Sequence, residues 1–175
     1  MKQRRLVIRS SILAIITIAI GYTFYINFFS DQSVVRAGDK ATNFVVQDLL
    51  GETIELRELE GTGVFLNFWG TFCPPCEREM PIMEKLYHEY QDQGIEMIAL
   101  NVDEADLVVQ TFVDRYDLSF PVAIDKGRRI TEGYGIRPLP TTVLINEHGE
   151  VVRVHTGFMD EKIIRQFLEE IKPQT

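Results

Sequence analysis

The chain has 175 residues, 45% of them hydrophobic, and a formal net charge of −8. Its first thirty residues carry four basic side chains and no acid, so the remainder has 14 basic and 26 acidic residues, a net charge of −12. This acidic balance argues against a nucleic-acid partner, which requires a basic surface. The remaining length, about 140 residues, suffices for one domain with a substantial core.

The N-terminal segment predicts a membrane anchor. Residues 1–9 are basic, and residues 10–29 contain no charged side chain. A helix of about 20 apolar residues spans a bilayer, and the basic residues before it predict a cytoplasmic N-terminus. A cleaved signal peptide is the alternative, although its apolar region is usually shorter, about 7–15 residues. We expect a signal-anchor at 10–29, a tether at 30–40, and a folded domain at 41–175 on the extracytoplasmic face of the cell membrane.

Hydrophobic periodicity predicts alternating strands and helices along the domain. An N-terminal hairpin turns near Gly51, and the apolar run Val64–Trp69 predicts a central strand buried on both faces. The expected strands are 44–48, 53–56, 64–69, 95–102, 120–124, 141–145 and 151–156, and the expected helices are 74–93, 105–116, 128–134 and 160–171. This order predicts an α/β fold with a mixed central sheet and helices on both faces.

The only two cysteines, Cys73 and Cys76, stand where the central strand gives way to a helix. A C-x-x-C pair in this position indicates a redox dithiol. The first thiol then lies at the helix N-terminus, where free N–H groups and the helix dipole favour the thiolate. Because the thiolate is the attacking species in disulfide exchange, the pattern predicts a nucleophile at Cys73.

Other uses of a cysteine pair fit the sequence less well. A structural zinc site needs four protein ligands, and a c-type haem site requires a histidine where Glu77 follows Cys76. A purely structural disulfide would close a very small loop and add little stability. A copper chaperone holding Cu(I) with two thiolates remains an alternative of another class, although no third ligand is evident in the sequence. We expect no metal and no cofactor apart from the redox-active pair.

Several local motifs resemble the thioredoxin fold. The segment Asn67–Cys76 resembles a thioredoxin active site, and Pro81 stands where such proteins kink the following helix. Pro138–Thr141 resembles the cis-proline loop that faces the cysteines, and Gly157 resembles the glycine before the final helix. Three further features narrow this resemblance to one family within the thioredoxin fold. They are the N-terminal anchor, the sequence Gly38–Ala41 at the start of the domain, and an inserted helix and strand between Asp103 and Asp125. The chain resembles the ResA family, membrane-anchored thiol-disulfide oxidoreductases of cytochrome c maturation within the TlpA-like group.

The resemblance implies a specific reaction and two partners. In that family the domain reduces the disulfide of the haem-binding C-x-x-C-H motif of apocytochrome c, so that haem can be attached. Electrons arrive through a membrane thiol carrier of the CcdA type. A general disulfide oxidase or isomerase is the alternative, because these enzymes share the fold and the cysteine pair and differ in redox potential.

The cysteines and one acid are the expected catalytic residues. Cys76 would resolve the mixed disulfide formed by Cys73. Glu79 lies three positions after Cys76 on the same helix face, and the resemblance implies an active-site acid there. Asn67 and Ala99 occupy the positions where thioredoxins usually carry a proton-transferring Asp and a Lys, so Glu79 would take over that work. The alternative is a solvated glutamate that favours the helix dipole.

Four further residues are expected to contact the substrate. A cis bond before Pro140 would turn the backbone of Leu139 toward a substrate segment that pairs like an added strand, although an ordinary proline-rich turn is the alternative. Phe72 would form an apolar rim beside the cysteines. Glu104 matches an acid beside the cavity in the ResA family, but a loop acid is also often merely solvated.

Overall fold

The computed structural model describes the backbone of residues 2–29 and 34–173 and the side chains of residues 12–25 and 34–173. The chain divides into two compact units, Met1–Gln32 and Ser33–Thr175. Each unit is described by itself.

The first unit contains helix α1, Lys2–Phe29. Within the residues that the structure describes, we find no helix with both the length and the apolar character needed to cross a membrane. The predicted span 10–29 extends past the described side chains at both ends, and the predicted basic segment 1–9 lies outside them. Both therefore stay predictions.

The second unit contains a two-stranded and a five-stranded sheet. The strands are β1 (Val45–Gln47), β2 (Thr53–Glu55), β3 (Gly63–Trp69), β4 (Ile95–Asn101), β5 (Val122–Ile124), β6 (Thr141–Ile145) and β7 (Val151–Thr156). The helices are α2 (Pro74–Tyr90), α3 (Asp106–Tyr116), α4 (Arg129–Gly133) and α5 (Glu161–Ile171), with 3₁₀ turns at Leu56–Leu59, Gln91–Gln93 and Lys126–Arg128. Element type and order agree with the prediction, including the N-terminal hairpin and the insert of α3 and β5.

The large sheet has the strand order β5-β4-β3-β6-β7. Strand β3 pairs parallel with β4 and antiparallel with β6, so the sheet is mixed, as predicted. All seven residues of β3 are buried, which explains why its sequence is nearly continuously apolar. Its C-terminal end at Trp69 leads directly into the loop that carries Cys73.

The two faces of the sheet are covered differently. Alternate residues of β3, such as Phe65 and Trp69, pack in a cluster with buried side chains of α2, α3 and α5. The intervening residues, such as Leu66 and Phe68, pack with Tyr134 and with residues near the hairpin. Helix α4 has only five residues, so it covers only part of this second face. Val35, Phe44 and Leu56, which precede β3 in the folded unit, cover the rest.

The described part of the predicted tether, residues 34–40, is attached to the folded unit. Val35 is buried in the second cluster, and the N–H of Gly38 donates to Val151 O at 2.8 Å. Residues 34–40 therefore belong to the folded unit, because an apolar side chain and a backbone hydrogen bond attach them to it. The rest of the predicted tether, residues 30–33, lies outside the described residues.

Candidate active site

Cys73 is the N-cap residue of α2 and forms a disulfide with Cys76. Pro74 and Pro75 occupy the first two helical positions and have no N–H to donate. The first N–H of the helix is therefore that of Cys76, which donates to the Sγ of Cys73 across 3.3 Å. The positive end of the helix dipole thus acts on the Cys73 sulfur, where it stabilises negative charge.

The two sulfurs differ in their access to solvent. Cys76 is fully buried, whereas Cys73 retains 6% of its surface and lines a groove of about 670 Å³. One part of the groove wall is apolar and includes Phe72, Val102 and Leu139. A partner thiol or disulfide that enters this groove meets Cys73 first. Cys73 is therefore the more exposed of the two cysteines.

Glu79 is completely buried one turn after Cys76. Its Oε1 accepts a hydrogen bond from the N–H of Met159, and its Oε2 has no hydrogen-bond partner among the described residues. Burial raises the pKa of Glu79 to about 7, although the Met159 hydrogen bond, the Asn67 side chain and the charge of Arg78 each lower it. The alternative of a solvated glutamate is wrong, because the side chain has no contact with solvent.

Glu104 is held by the loop that precedes Cys73. The backbone N–H of Thr71 donates to its Oε2 at 2.7 Å, and the Thr71 hydroxyl donates to its Oε1. The amide of Asn101 also donates to Oε2 at 2.7 Å. Glu104 borders the groove, as expected. Its carboxylate is not merely solvated, because three donors fix it between the ends of β3 and β4.

The peptide bond between Leu139 and Pro140 is cis, as predicted. Leu139 lines the groove, and the carbonyl of Pro140 accepts the N–H of Gly157 at 2.9 Å. Phe72 stands at the groove rim with 67% of its surface exposed. Its ring lies over Gly70, where an added Cβ would come within 2.6 Å of a ring atom. A glycine at this position therefore allows the ring to lie flat against the loop.

Sequence reasoning missed the polar groups in the surroundings of Glu79. Asn67 is fully buried in β3, and its Nδ2 donates to the Thr142 hydroxyl of β6 at 2.9 Å. Met159 lies after β7 and supplies the N–H described above. A polar residue in the middle of the apolar run Val64–Trp69 was the one available signal, since such a residue must find a partner when it is buried.

The described residues contain no cluster of three or more His, Cys, Asp or Glu side chains placed to hold a metal ion. A second groove, of about 960 Å³, lies between the N-terminal hairpin, α3 and α4 and includes neither cysteine among its lining residues. Cys73, Glu104 and Leu139 of the cis-proline loop thus line the smaller groove, whereas Glu79 is buried and does not line it.

The sequence of the chain matches known proteins along its whole length. Residues 37–154 match the AhpC/TSA family. The thiol-disulfide oxidoreductase ResA of Halalkalibacterium halodurans is 66% identical over 173 residues, which cover 99% of this chain and 98% of that protein. The chain belongs to the ResA family of thiol-disulfide oxidoreductases. The ResA protein of Bacillus thuringiensis is 50% identical over 173 residues, covering 99% of this chain and all of that protein.

A solved structure has a similar fold. StoA from Bacillus subtilis has a TM-score of 0.66 and 26% identity, over 73% of this chain and 96% of StoA. The predicted thioredoxin fold, with its mixed sheet and flanking helices, is confirmed by the family match and by the strand order of the large sheet. Membership of the ResA family also confirms the predicted enzyme class, so the protein is a thiol-disulfide oxidoreductase with a disulfide-type redox centre.

Proposed function

We propose that this ResA-family protein reduces the disulfide of the haem-binding C-x-x-C-H motif in apocytochrome c. The observation that carries the proposal is the Cys73–Cys76 pair, of which Cys73 alone borders a groove open to a partner. Identity to proteins named ResA over 99% of the chain supports this substrate, because the family acts in cytochrome c maturation. The buried acid beside the pair supplies the proton transfer that the exchange requires.

The proposed reaction moves two electrons from the dithiol to the substrate. The Cys73 thiolate attacks one substrate sulfur, the substrate disulfide breaks, and the departing substrate thiolate takes a proton from solvent. Cys76 then transfers its thiol proton to the Glu79 carboxylate and attacks the Cys73 sulfur. The second substrate sulfur leaves as a thiolate and is protonated, and the Cys73–Cys76 disulfide forms.

The groove supplies the binding site for the substrate segment. Leu139, presented by the cis bond before Pro140, would pair with an extended peptide, as in recognition by strand addition. Phe72 would cover one side of the substrate disulfide with its exposed ring. Glu104 acts on the same groove by fixing the loop that carries Phe72 and Cys73.

The cellular setting is part of the proposal. Residues 10–29 anchor the protein in the cell membrane by a single span, with the N-terminus in the cytoplasm and the catalytic domain on the extracytoplasmic face. The uncharged sequence and the basic residues before it support this orientation. A membrane thiol carrier of the CcdA type would then return the disulfide to the dithiol.

The proposal is tested with an oxidised peptide that contains C-x-x-C-H and a matched peptide in which alanine replaces the histidine. The reduced full chain should reduce the first peptide faster than the second. Cys73→Ala should abolish the reaction, and Cys76→Ala should accumulate a mixed disulfide with the peptide. Normal turnover by Cys76→Ala would contradict the two-cysteine mechanism.

The redox potential of the full chain separates a reductase from an oxidase. A value near or below that of thioredoxin, about −270 mV, supports the proposed direction of electron flow. A value near about −120 mV, typical of a strong oxidant, would instead make the protein a disulfide-forming enzyme.

A further inference from the structure

Two buried oxygen atoms near the disulfide lack hydrogen-bond partners. Among the described side chains, Glu79 Oε2 and Asn67 Oδ1 are both enclosed and unpaired. Each is an acceptor, and a buried acceptor that has lost its hydrogen bonds to water without gaining a donor is destabilising. Glu79 follows Cys76 on α2, and Asn67 alternates with Phe65 and Trp69, which pack with Cys76, so both side chains are buried on one side of the sheet. The Asn67 amide is one of the groups that lower the pKa of Glu79. A single proton on Glu79 turns one of these acceptors into a donor and so satisfies both atoms.

The orientation of the Asn67 amide is fixed from the sheet. Asn67 pairs with Thr142 in the register of β3 and β6, and its Nδ2 donates to the Thr142 hydroxyl at 2.9 Å. Alternation along β3 directs Asn67 to the same side as Phe65 and Trp69, which pack in the cluster that contains Cys76. The amide is therefore held on the cysteine side of the sheet.

An amide can serve both protonation states of an acid. Its oxygen accepts a hydrogen bond from a protonated carboxyl group, and its nitrogen carries two hydrogens. The Thr142 hydroxyl receives one hydrogen of Asn67, so the second remains for a carboxylate. An aspartate in place of Asn67 offers no N–H and adds a like charge, and an aliphatic residue offers neither donor nor acceptor.

We propose that Asn67 is the positioning residue for Glu79: its amide oxygen accepts a hydrogen bond from the protonated carboxyl group in the oxidised protein, and its amide N–H donates to the carboxylate in the reduced protein. This inference rests on the proton transfer in the proposed function. When Cys76 closes the disulfide, its proton passes to Glu79, and the O–H then donates to Asn67 Oδ1. When a donor thiol reopens the disulfide, the Cys76 thiolate takes that proton back, and the Glu79 carboxylate receives the free N–H of Asn67.

Of the groups near Glu79, the Asn67 amide is the one that can both donate a hydrogen bond to the carboxylate and accept one from the protonated acid. The N–H of Met159 can only donate, so it cannot accept a hydrogen bond from the protonated acid. Arg78 is the charged side chain whose field lowers the pKa of Glu79. Its positive charge favours the carboxylate and offers no acceptor to the protonated acid. Asn67 is therefore the side chain that suits both states.

The test is the titration of Glu79 in the oxidised full chain, followed by the infrared band of its carboxyl group. The band is assigned by its loss in Glu79→Gln. Asn67→Leu should raise the midpoint, because an unpaired buried charge costs more than an unpaired carboxylic acid. We expect a rise of about one pH unit, which should slow closure of the disulfide about fivefold at pH 7 with a small synthetic disulfide as oxidant, because the carboxylate fraction falls from about a half to about a tenth.

Thr142→Val is a second variant that preserves shape and releases the amide, and it should raise the midpoint by a smaller amount. Thr156→Val makes the same change on the neighbouring strand β7 and should leave the midpoint where it is. In a double-mutant cycle, Asn67→Leu should have no further effect on the rate when Glu79→Gln is already present.

Equal midpoints in the wild type, Asn67→Leu and Thr142→Val would overturn the inference. So would an equal loss of rate from Asn67→Leu with and without Glu79, which would show a merely structural role. Because the readouts use a carboxyl band and a synthetic disulfide, they stand even if apocytochrome c proves to be the wrong substrate.

Discussion

Glu79 and Glu104 are the two acids expected at the active site, and they differ in how their oxygens are bonded. Glu79 is completely buried, and one of its oxygens has no partner in the described part of the chain. Glu104 accepts three hydrogen bonds, from the Thr71 backbone, the Thr71 hydroxyl and the Asn101 amide. The first carboxyl group is short of donors, whereas the second is surrounded by them.

This difference teaches which acid can exchange a proton. A carboxylate that lacks donors in a buried site is unstable as an anion, so it binds a proton near neutral pH. A carboxylate whose oxygens already accept several hydrogen bonds is a fixed anchor, and replacing it disturbs the groups that depend on it. The resemblance assigned both acids to one active site, but their bonding separates a proton carrier from a support for the loop.

The largest expected effect is on the pH dependence of stability. Burial holds the pKa of Glu79 at about 7, against an ordinary value of 4.5. Because the folded-state pKa is raised, the stability due to the protonated acid is fully present below about pH 4.5 and is lost as the pH rises through about 7. This loss amounts to about 3 kcal/mol. Urea unfolding of the oxidised chain should show it in the wild type and not in Glu79→Gln.

If the unfolding free energies of the wild type and Glu79→Gln depended on pH in the same way, the group that titrates would be a residue other than Glu79. Glu77→Gln is the matched control, since Glu77 lies on the same helix and accepts a hydrogen bond from the Tyr116 hydroxyl. It should follow the wild-type curve in the range between about pH 4.5 and pH 7.

The second effect is on the rate of exchange. Glu79→Gln removes the proton acceptor for Cys76 and should slow reduction of a disulfide about 100-fold at pH 7, the lower end of the usual range for acid–base catalysis. The rate of the wild type should rise with pH through about 7, as the carboxylate forms, and the variant should lack this rise. A variant with the same pH–rate profile would contradict the proton-transfer role of Glu79.

The fold was largely predictable because its signals are local. The apolar run at β3, the turn between β6 and β7 and the Asp160 N-cap of α5 each depend on neighbouring residues. The ends of the elements were less predictable. Helix α2 ends at Tyr90 because residues 91–93 tighten into a 3₁₀ turn before Gly94, whose φ of +75° suits a glycine.

The site was predictable only where a motif marks it. Spacing identified the cysteines, and a resemblance identified Glu79 and Pro140. Thr142, the partner of Asn67, is 75 residues away, and Thr71, which donates two hydrogen bonds to Glu104, is 33 residues away, so no local pattern predicts these contacts. The sequence assigns Asn67 no part in proton transfer because an amide cannot carry a proton, whereas in the structure the residue is fully buried and its amide is one of the groups that lower the pKa of Glu79.

The third effect is on stability, at Glu104. Here the glutamine variant should behave almost like the wild type, whereas at Glu79 the glutamine variant should lose the pH dependence. Glu104→Ala leaves the Thr71 N–H and the Asn101 amide without an acceptor and should cost about 2 kcal/mol of unfolding free energy. Glu104→Gln should recover most of that loss, because its amide oxygen can accept from both groups. Both variants should keep the wild-type pH–rate profile. A flattened profile in Glu104→Gln would give Glu104 a share in proton transfer and break the comparison.

The smallest effect concerns Phe72, which the Glu104-supported loop presents to the groove. Because its ring is 67% exposed, Phe72→Ala should change the unfolding free energy by less than about 0.5 kcal/mol. If the ring covers the substrate, KM for the oxidised peptide should rise about fivefold with kcat unchanged, since about 1 kcal/mol of contact is lost. Glu104→Ala should raise KM through the same ring, so the double variant should show no further rise. Independent rises in KM would show that the loop contacts the substrate at a second place, and an unchanged KM in Phe72→Ala would remove the ring from the binding site.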